Sequence, residues 1–545
     1  MSILKNFKES IQHVDFPEKS GKIGRFCLEG ENMKKIESIE HRRITEDDRF
    51  LRDESKMGGG YADEVFFPEN EEEISAVLKY CADKKLKATV AGGGTGITGA
   101  AVPFGGIVIS MEKFNRITGL GFENERFFLR VQAAVTLSKI AETLRAKDIA
   151  SLEDLTENAQ KSLEDSPDLW LYPVDPTEMS AQIGGTAATN ASGAATYRFG
   201  PTRSWIKSVT VVLPDGSVQK IERGKCFADA SGEFDFAGKK FRIPDYTMPD
   251  CKNASGLYSK KGMDIIDLFI GSEGILGVIT TLEIYLEKQK PALSVVQFFK
   301  SVDESLDFVK KLKKSELKPD FIEFIGSSGL ELIRNRMKSG CMSLDIPKLD
   351  ENSAAAVFFD IAFDRSNIAG IAEKAAELTK GNENSWCAWE NCEIERIKVF
   401  RHAVPESVNA TIAEIKKKYP KIHKLGTDFA VSDENFDDLV AFYRKTLESC
   451  GIKHAVFGHI GNNHLHINML PADYEELEKA KEIYALIAKK VISLGGTVSA
   501  EHGIGKIKHK YLETMFGEDG INEMKRIKKV FDPDLILNIG NMFEI

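Results

Sequence analysis

Residues 86–106 read LKATVAGGGTGITGAAVPFGG, an apolar run, LKATVA, that stops in a tract of glycine and threonine. Gly94, Gly96 and Gly99 keep the G-x-G-x-x-G spacing of dinucleotide-binding folds. That fingerprint needs a helix to open on the glycines, with its N-terminus against the pyrophosphate. Here Pro103, Gly105 and Gly106 follow within seven residues of Gly99, and the chain then reads as a strand, GIVISM. The stretch therefore predicts a helix-free nest. Consecutive small residues let backbone N–H groups converge on an anion, Thr95 and Thr98 add hydroxyl donors, and a diphosphate is the natural guest.

Upstream, VFFP, then EEEISAVLKYCADKK with apolar residues at helical spacing, then LKATVA predict strand, helix, strand, an α/β beginning. Downstream to residue 289, β-rich runs such as FFLRVQAAV, SVTVVLPDGSVQKI and GVITTLEIYL are separated by glycine turns. Residues 290–450 carry longer amphipathic helices between strands such as AAAVFFDIAF, which places a boundary near Lys290-Pro291. Residues 1–55 are charged and helical in pattern and precede a Gly58-Gly59-Gly60 breaker. The expected division is an N-terminal helical extension (1–55), a first domain (56–289), a second (290–500) and a C-terminal segment returning to the first (501–545).

With 545 residues and 42% apolar content the chain can bury a sizeable core over two or three domains. Its 73 Lys and Arg against 83 Asp and Glu supply no general basic footprint, so nucleic acid is not an expected partner. Nowhere do 18 apolar residues run together and the N-terminus lacks a signal-peptide core, so no transmembrane segment is expected. A cytoplasmic location follows, compatible with a peripheral position at the inner membrane face. Eight cysteines without any C-x-x-C suggest neither a disulfide framework nor an iron–sulfur cluster.

Eight of the ten histidines fall between His402 and His509, which assigns imidazole chemistry to the C-terminal third. In AVFGHIGNNHLHINML, a two-residue turn at Asn462-Asn463 would pair Gly461 with His464, Ile460 with Leu465, and His459 with His466. Opposed Cβ atoms start about 4.5 to 5.5 Å apart, which suits two imidazoles sharing one divalent ion. His464 is left open between an added ligand and a solvent-facing residue. Two more small-residue segments, QIGGTAATNASG (182–193) and GSEGILG (271–277), are read as further loops around one long ligand threaded through backbone.

The ordered set FPENEEEISAVLKYC, GGGTGITGAAVPFGGIVISMEKFNRI, PVDPTEMSAQIGGTAATNASG with TYRFGPTR, KNASGLY, LFIGSEGILGVIT, GHIGNNHLHIN and AEHGIG resembles the vanillyl-alcohol-oxidase-type (PCMH-type) flavoproteins over residues 60–545. Within them it resembles the branch of glycolate oxidase D-subunits, D-lactate dehydrogenases and D-2-hydroxyglutarate dehydrogenases. The resemblance implies an α+β fold: a two-subdomain FAD-binding domain and an α/β substrate cap with an antiparallel sheet. It implies FAD-dependent oxidation of a D-2-hydroxy acid, D-lactate favoured, to the 2-oxo acid. Gly92, Gly93, Gly94, Thr95, Gly96, Thr98 and Gly99 match the pyrophosphate loop. Pro173, Gly184, Gly185, Asn190, Ala191, Ser192 and Gly193 match the isoalloxazine and ribityl loop, and Glu273, Gly274 and Ile279 the adenine-side contacts. Relatives often carry an Arg before the first loop, where Ala91 stands here. With no histidine in this domain, the FAD is expected to be non-covalent.

By the same resemblance His459, His466 and Glu501 hold one divalent metal, with zinc, iron and manganese all suited to borderline N/O ligands. His502 is the base, while Arg401 of RHAVPESVN and Lys424 of HKLGTDFAV supply cations for the substrate carboxylate. The implied mechanism is metal-assisted loss of the hydroxyl proton to His502 with hydride transfer to flavin N5. Relatives commonly read Asn-Pro-Gly-Lys near their C-terminus where this chain reads LNIGNMFEI, and no fused iron–sulfur domain is expected. Electrons are expected to pass to a separate acceptor, an electron-transfer flavoprotein, a quinone or a cytochrome, and a homodimer is compatible with the family. Two rival readings are a flavin-dependent transferase like the alkyl-glycerone-phosphate synthases and an electron-relay subunit without catalysis.

Overall fold

In the computed structural model the described residues are 31–545 except 47, 148–151, 156, 348, 365 and 383, so residues 1–30 of the expected extension lie outside them. The strand Glu64–Phe66, helix Glu71–Lys84 and strand Ala88–Ala91 form as the sequence predicts. Asn70 caps that helix by accepting from the Glu73 N–H (3.0 Å), three glutamates occupy its first turn, and Ile74, Val77, Leu78 and Cys81 bury one face. The helix ends where Lys85 turns left-handed (φ 54°).

These elements belong to a four-stranded sheet in the order His41–Arg43, Glu64–Phe66, Ile107–Ser110, Ala88–Ala91, parallel among the last three. His41–Arg43 pairs antiparallel with Glu64–Phe66, so the sheet already takes in chain from before residue 55, where an extension alone was expected. The six-stranded sheet that follows runs Val218–Glu222, Ile206–Val212, Val278–Tyr285, Arg126–Gln132, Ile117–Glu123, Asp154–Leu155, antiparallel except at the last pair. Period-two burial is clear in Arg126–Gln132, where Phe127, Leu129 and Val131 point inward.

The third sheet has seven antiparallel strands in the order Ser385–Ala388, Ala292–Phe299, Ala355–Ala362, Phe321–Ile325, His454–His459, His464–Met469, Leu425–Gly426. It begins at Ala292, beside the expected boundary. Its central strands read as unbroken apolar runs because helices cover both faces. Phe359 packs on Phe308 of the helix Val302–Lys314, while its neighbour Phe358 packs on Phe400 of the helix Asn391–Lys416.

The chain then re-enters the first region. The Ala88 N–H donates to Ile536 O (2.7 Å) and the Val90 N–H to Asn538 Oδ1 (2.8 Å). The architecture is thus the expected α+β one. One local expectation fails: in QIGGTAATNASG, Ile183–Thr189 is a helix, not a loop, and Asn190 ends it in left-handed conformation (φ 50°). Gly184 sits where a Cβ would come within 2.5 Å of the Ala133 Cβ, so packing rather than propensity holds this glycine-rich turn of helix. Among the described residues no helix is long and apolar enough to cross a membrane.

Candidate functional site

A single cleft runs from the glycine nest to the histidine region. Residues 92–98 line one side, Gln182, Gly184, Gly185, Ala191, Ser192 and Gly193 another, Glu273, Gly274 and Ile279 a third, and Glu501 with His502 close one end. Residues 92–100 hold no helix, as expected of a nest, and Gly94 takes a positive φ of 68°. A Cβ added at Gly94, Gly96 or Gly185 would meet no atom within 4 Å, so these glycines border open space. Gln182 Oε1 and Ser192 Oγ are buried without hydrogen-bond partners on the same walls. A groove of small residues, free backbone and orphaned polar atoms fits a long ligand carrying a diphosphate, as FAD does.

Three of the expected cofactor residues are not among those lining the cleft. Pro173 is buried, Gly99 accepts from Lys506 Nζ through its carbonyl (3.4 Å), and Asn190 Oδ1 accepts the Arg203 N–H (3.0 Å). Glu273 lines the cleft, but its carboxylate is engaged: it accepts the N–H groups of Ile504 (2.6 Å) and Gly505 (2.7 Å) and so staples the 501–505 loop to the cleft wall. Asn538 and Asn541 are additional lining residues that the sequence reading missed.

The histidine hairpin has a different register from the one expected. Ile460–Asn462 makes a 3₁₀ turn and Asn463 alone is left-handed (φ 55°), a four-residue connection that sets His459 opposite His464 and Phe457 opposite His466. Asn463 is held there because its amide donates to Asp433 Oδ1 (2.8 Å) and its carbonyl oxygen accepts from Lys313 Nζ (2.8 Å). The shift is by two residues, so all three imidazoles still share a face. Their ring centroids lie 4.4 to 5.4 Å apart.

Glu501 enters this face from the returning C-terminal segment. Its Oε1 lies 3.2 Å from His459 Nε2 and its Oε2 4.0 Å from His466 Nε2. The opposite ring nitrogens are already committed: His459 Nδ1 to Glu323 Oε1 (2.6 Å) and His466 Nδ1 to Thr427 O (2.9 Å). Contacts of this kind orient metal-binding imidazoles, and they leave the two Nε2 atoms as the ones that could take a cation. One donor atom from each of His459, His464, His466 and Glu501 falls within a 4.8 Å circle of the others, and the donor set fits a borderline divalent cation.

Charge is concentrated here. Burial would raise the Glu501 carboxyl, but the charges of His459 and Lys252 hold it well below the usual carboxylate range. Burial would lower His459, yet Glu323 and Glu501 push it up to about 9. Burial and the neighbouring His464 and His459 hold His466 well below the imidazole range, and burial brings His464 down to about 4. Lys252, of the KNASGLY motif, is the unforeseen member: its ammonium pairs with Glu501 Oε1 and donates to Gly193 O (3.1 Å), joining the cluster to the cofactor wall.

Asp428 was also missed and organises the other half. Its two oxygens accept the backbone N–H groups of Glu501 and His502 (both 3.1 Å), and Oδ2 lies 3.1 Å from His502 Nδ1. Burial opposes its charge, but His502 and Lys508 hold the carboxyl well below its ordinary range. His502 is thereby left with Nε2 for other work. Arg401 lies with its guanidinium 4.9 Å from the centre of the Phe321 ring and 3.5 Å from His402 Nε2, and its charge acts on Glu323 behind His459. Lys424 donates to Asn409 Oδ1 (2.9 Å), and no bond among the described residues links it to the cluster. A lone Asp or Lys with partners some 70 to 250 residues away leaves no periodic signal.

Residues 62–155 and 163–222 match the FAD binding domain, and residues 288–542 match the C-terminal domain of FAD linked oxidases. A D-lactate dehydrogenase of Anaerostipes hadrus is 28% identical over 94% of this chain and 97% of its own length. A D-2-hydroxyglutarate dehydrogenase of Xanthomonas citri pv. viticola is 25% identical over 88% and 89%. Among solved structures, 4-ethylphenol oxidase from Gulosibacter chungangensis superposes with a TM-score of 0.62 at 16% identity, over 94% of this chain and 96% of that one.

Proposed function

Because the chain belongs to the FAD-linked oxidases, a flavoprotein family of oxidoreductases, we propose that it oxidises a small D-2-hydroxy acid, D-lactate first among candidates, and passes the electrons to a separate acceptor. The observation that carries this reading is the meeting of the cofactor cleft with a His/Glu cluster at Glu501 and His502. Bound FAD would supply the two-electron acceptor, and a divalent cation would supply the positive charge that favours an ionised hydroxyl.

The chain's own residues do the rest. His459, His466 and Glu501 would hold the cation, with Glu323 and Thr427 fixing the two rings. Asp428 engages His502 at Nδ1, so that Nε2 is free to take the substrate's hydroxyl proton. Arg401 is suited to the substrate carboxylate, since its fork binds such a group at two points. Lys252, holding both Glu501 and Gly193 O, keeps the two halves in register.

Anaerobic mixing with paired D- and L-2-hydroxy acids, followed by flavin absorbance, tests the assignment: D-lactate should bleach the flavin and L-lactate should not. The His502→Ala variant should keep its FAD yet lose about two or more orders of magnitude in turnover. Bleaching by neither enantiomer of any 2-hydroxy acid, or full activity without His502, would overturn the reading.

A further inference from the structure

His464 lies between the two histidines already assigned to the cation, and its surroundings are hard to reconcile with a merely structural residue. It is fully buried, 0% exposed, on the face of the strand His464–Met469 that carries His466. Neither ring nitrogen completes a hydrogen bond; the polar contact it has is an ion-pair approach of Nε2 to Asp428 Oδ1 at 3.2 Å. Buried polar groups without partners are rare, and each asks for a reason. His459 and His466 each have their outer nitrogen satisfied, whereas His464 has both unsatisfied while lying in the same donor group.

We infer that His464 is a fourth protein ligand, so that the cation is held by three imidazoles and one carboxylate, from His459, His464, His466 and Glu501. The four-residue connection puts His464 directly opposite His459, and the ring centroids of His464 and His466 are only 4.4 Å apart, nearer than either is to His459. A site for His459, His466 and Glu501 alone would have an unbonded imidazole as its wall. Adding that imidazole satisfies one of its two unbonded nitrogens and still leaves a five- or six-coordinate ion one or two positions for a hydroxy acid. A third nitrogen donor also moves the set away from manganese, which prefers oxygen ligands, and toward zinc.

The inference rests on the proposed metal site, and the test separates the two. Zinc K-edge X-ray absorption on the FAD-loaded wild-type protein counts imidazoles through their outer-shell scattering: three are expected. The His464→Asn variant, with flavin content as the check on folding, should show two, bind zinc at least ten-fold more weakly, and lose part of its preference for zinc over manganese. Two imidazoles in the wild type, or unchanged zinc affinity in the variant, would overturn the role of His464 while leaving the site standing. A wild-type protein that takes up no zinc, iron or manganese would overturn both. The wild-type count stands alone if the variant does not fold.

Discussion

The cofactor cleft and the histidine cluster share residues 501–502, yet they are built from opposite materials. The cleft is made of what side chains leave out: Gly94, Gly96 and Gly185 face open space, and its polar contacts are backbone groups and a few buried amides and hydroxyls. The cluster is made chiefly of side chains, with three imidazoles and Glu501 inward and Glu323, Asp428 and the Thr427 carbonyl behind them. A backbone site is damaged by adding atoms and a side-chain site by removing them. Substitutions can therefore separate the two, although Lys252 and Glu273 tie them together.

The largest effect should come from Glu501→Gln, which removes the anionic ligand. The cation should be lost and turnover should drop by about a thousand-fold, since such charge stabilisation is worth several kcal/mol. Flavin stoichiometry should be unchanged, and metal analysis beside the flavin spectrum would check both. Loss of flavin together with metal would mean that the sites are not separable.

Gly185→Ala is the reciprocal experiment. The added methyl has free space in the FAD-free protein and replaces a helical glycine, so thermal stability should hold or rise by up to about 1 kcal/mol. FAD affinity should fall at least ten-fold because the methyl occupies the groove, while metal content stays constant. Equilibrium FAD titration and calorimetry would decide it.

A smaller effect is expected from Asp428→Asn, because Asp428 touches His502 rather than the reacting atoms. It is a positioning residue: kcat should fall about ten-fold with KM little changed and FAD retained. A change in KM alone would contradict that role.

The smallest effect lies in neither site. Glu283 is buried in the six-stranded sheet, where burial is outweighed by Arg130, Ser208 and Lys207, which lower its carboxyl from 4.5 to about 2. A carboxyl depressed in the folded state binds fewer protons there than when unfolded. Its contribution is complete above pH 4.5 and is lost as pH falls toward 2. After allowance for partly exposed partners this is about 1–2 kcal/mol. Glu283→Gln should flatten acid denaturation over that window, measured by urea midpoints at several pH values, and leave both sites intact.

The cleft was the more legible region. The run of glycines at 92–96 forbids most alternatives to a nest, and Pro103 excludes a helix after it. Two further small-residue segments, 182–193 and 271–277, mark the other walls, except that Ile183–Thr189 is a helix whose stability comes from contact with Ala133, which a local reading cannot see. In the cluster, the identities of the histidines were legible but their pairing was not. Asn462 and Asn463 both tolerate left-handed backbone, so a two-residue and a four-residue turn look alike until Asp433 and Lys313, distant in sequence, take hold of Asn463. Asp428 and Lys252 were invisible for the same reason, since each acts on residues brought near only by the third sheet and the returning C-terminal segment.

The claim beneath all of this is that a cation held by the cluster serves chemistry at the flavin cleft. It is tested most directly by anaerobic stopped-flow reduction of the bound flavin by D-lactate, before and after the metal is stripped with a chelator and then restored. Rapid bleaching is expected in the metal-loaded protein, with loss of at least two orders of magnitude in rate on stripping with FAD still bound, and recovery on adding zinc or manganese. Equal bleaching rates with and without metal would contradict it.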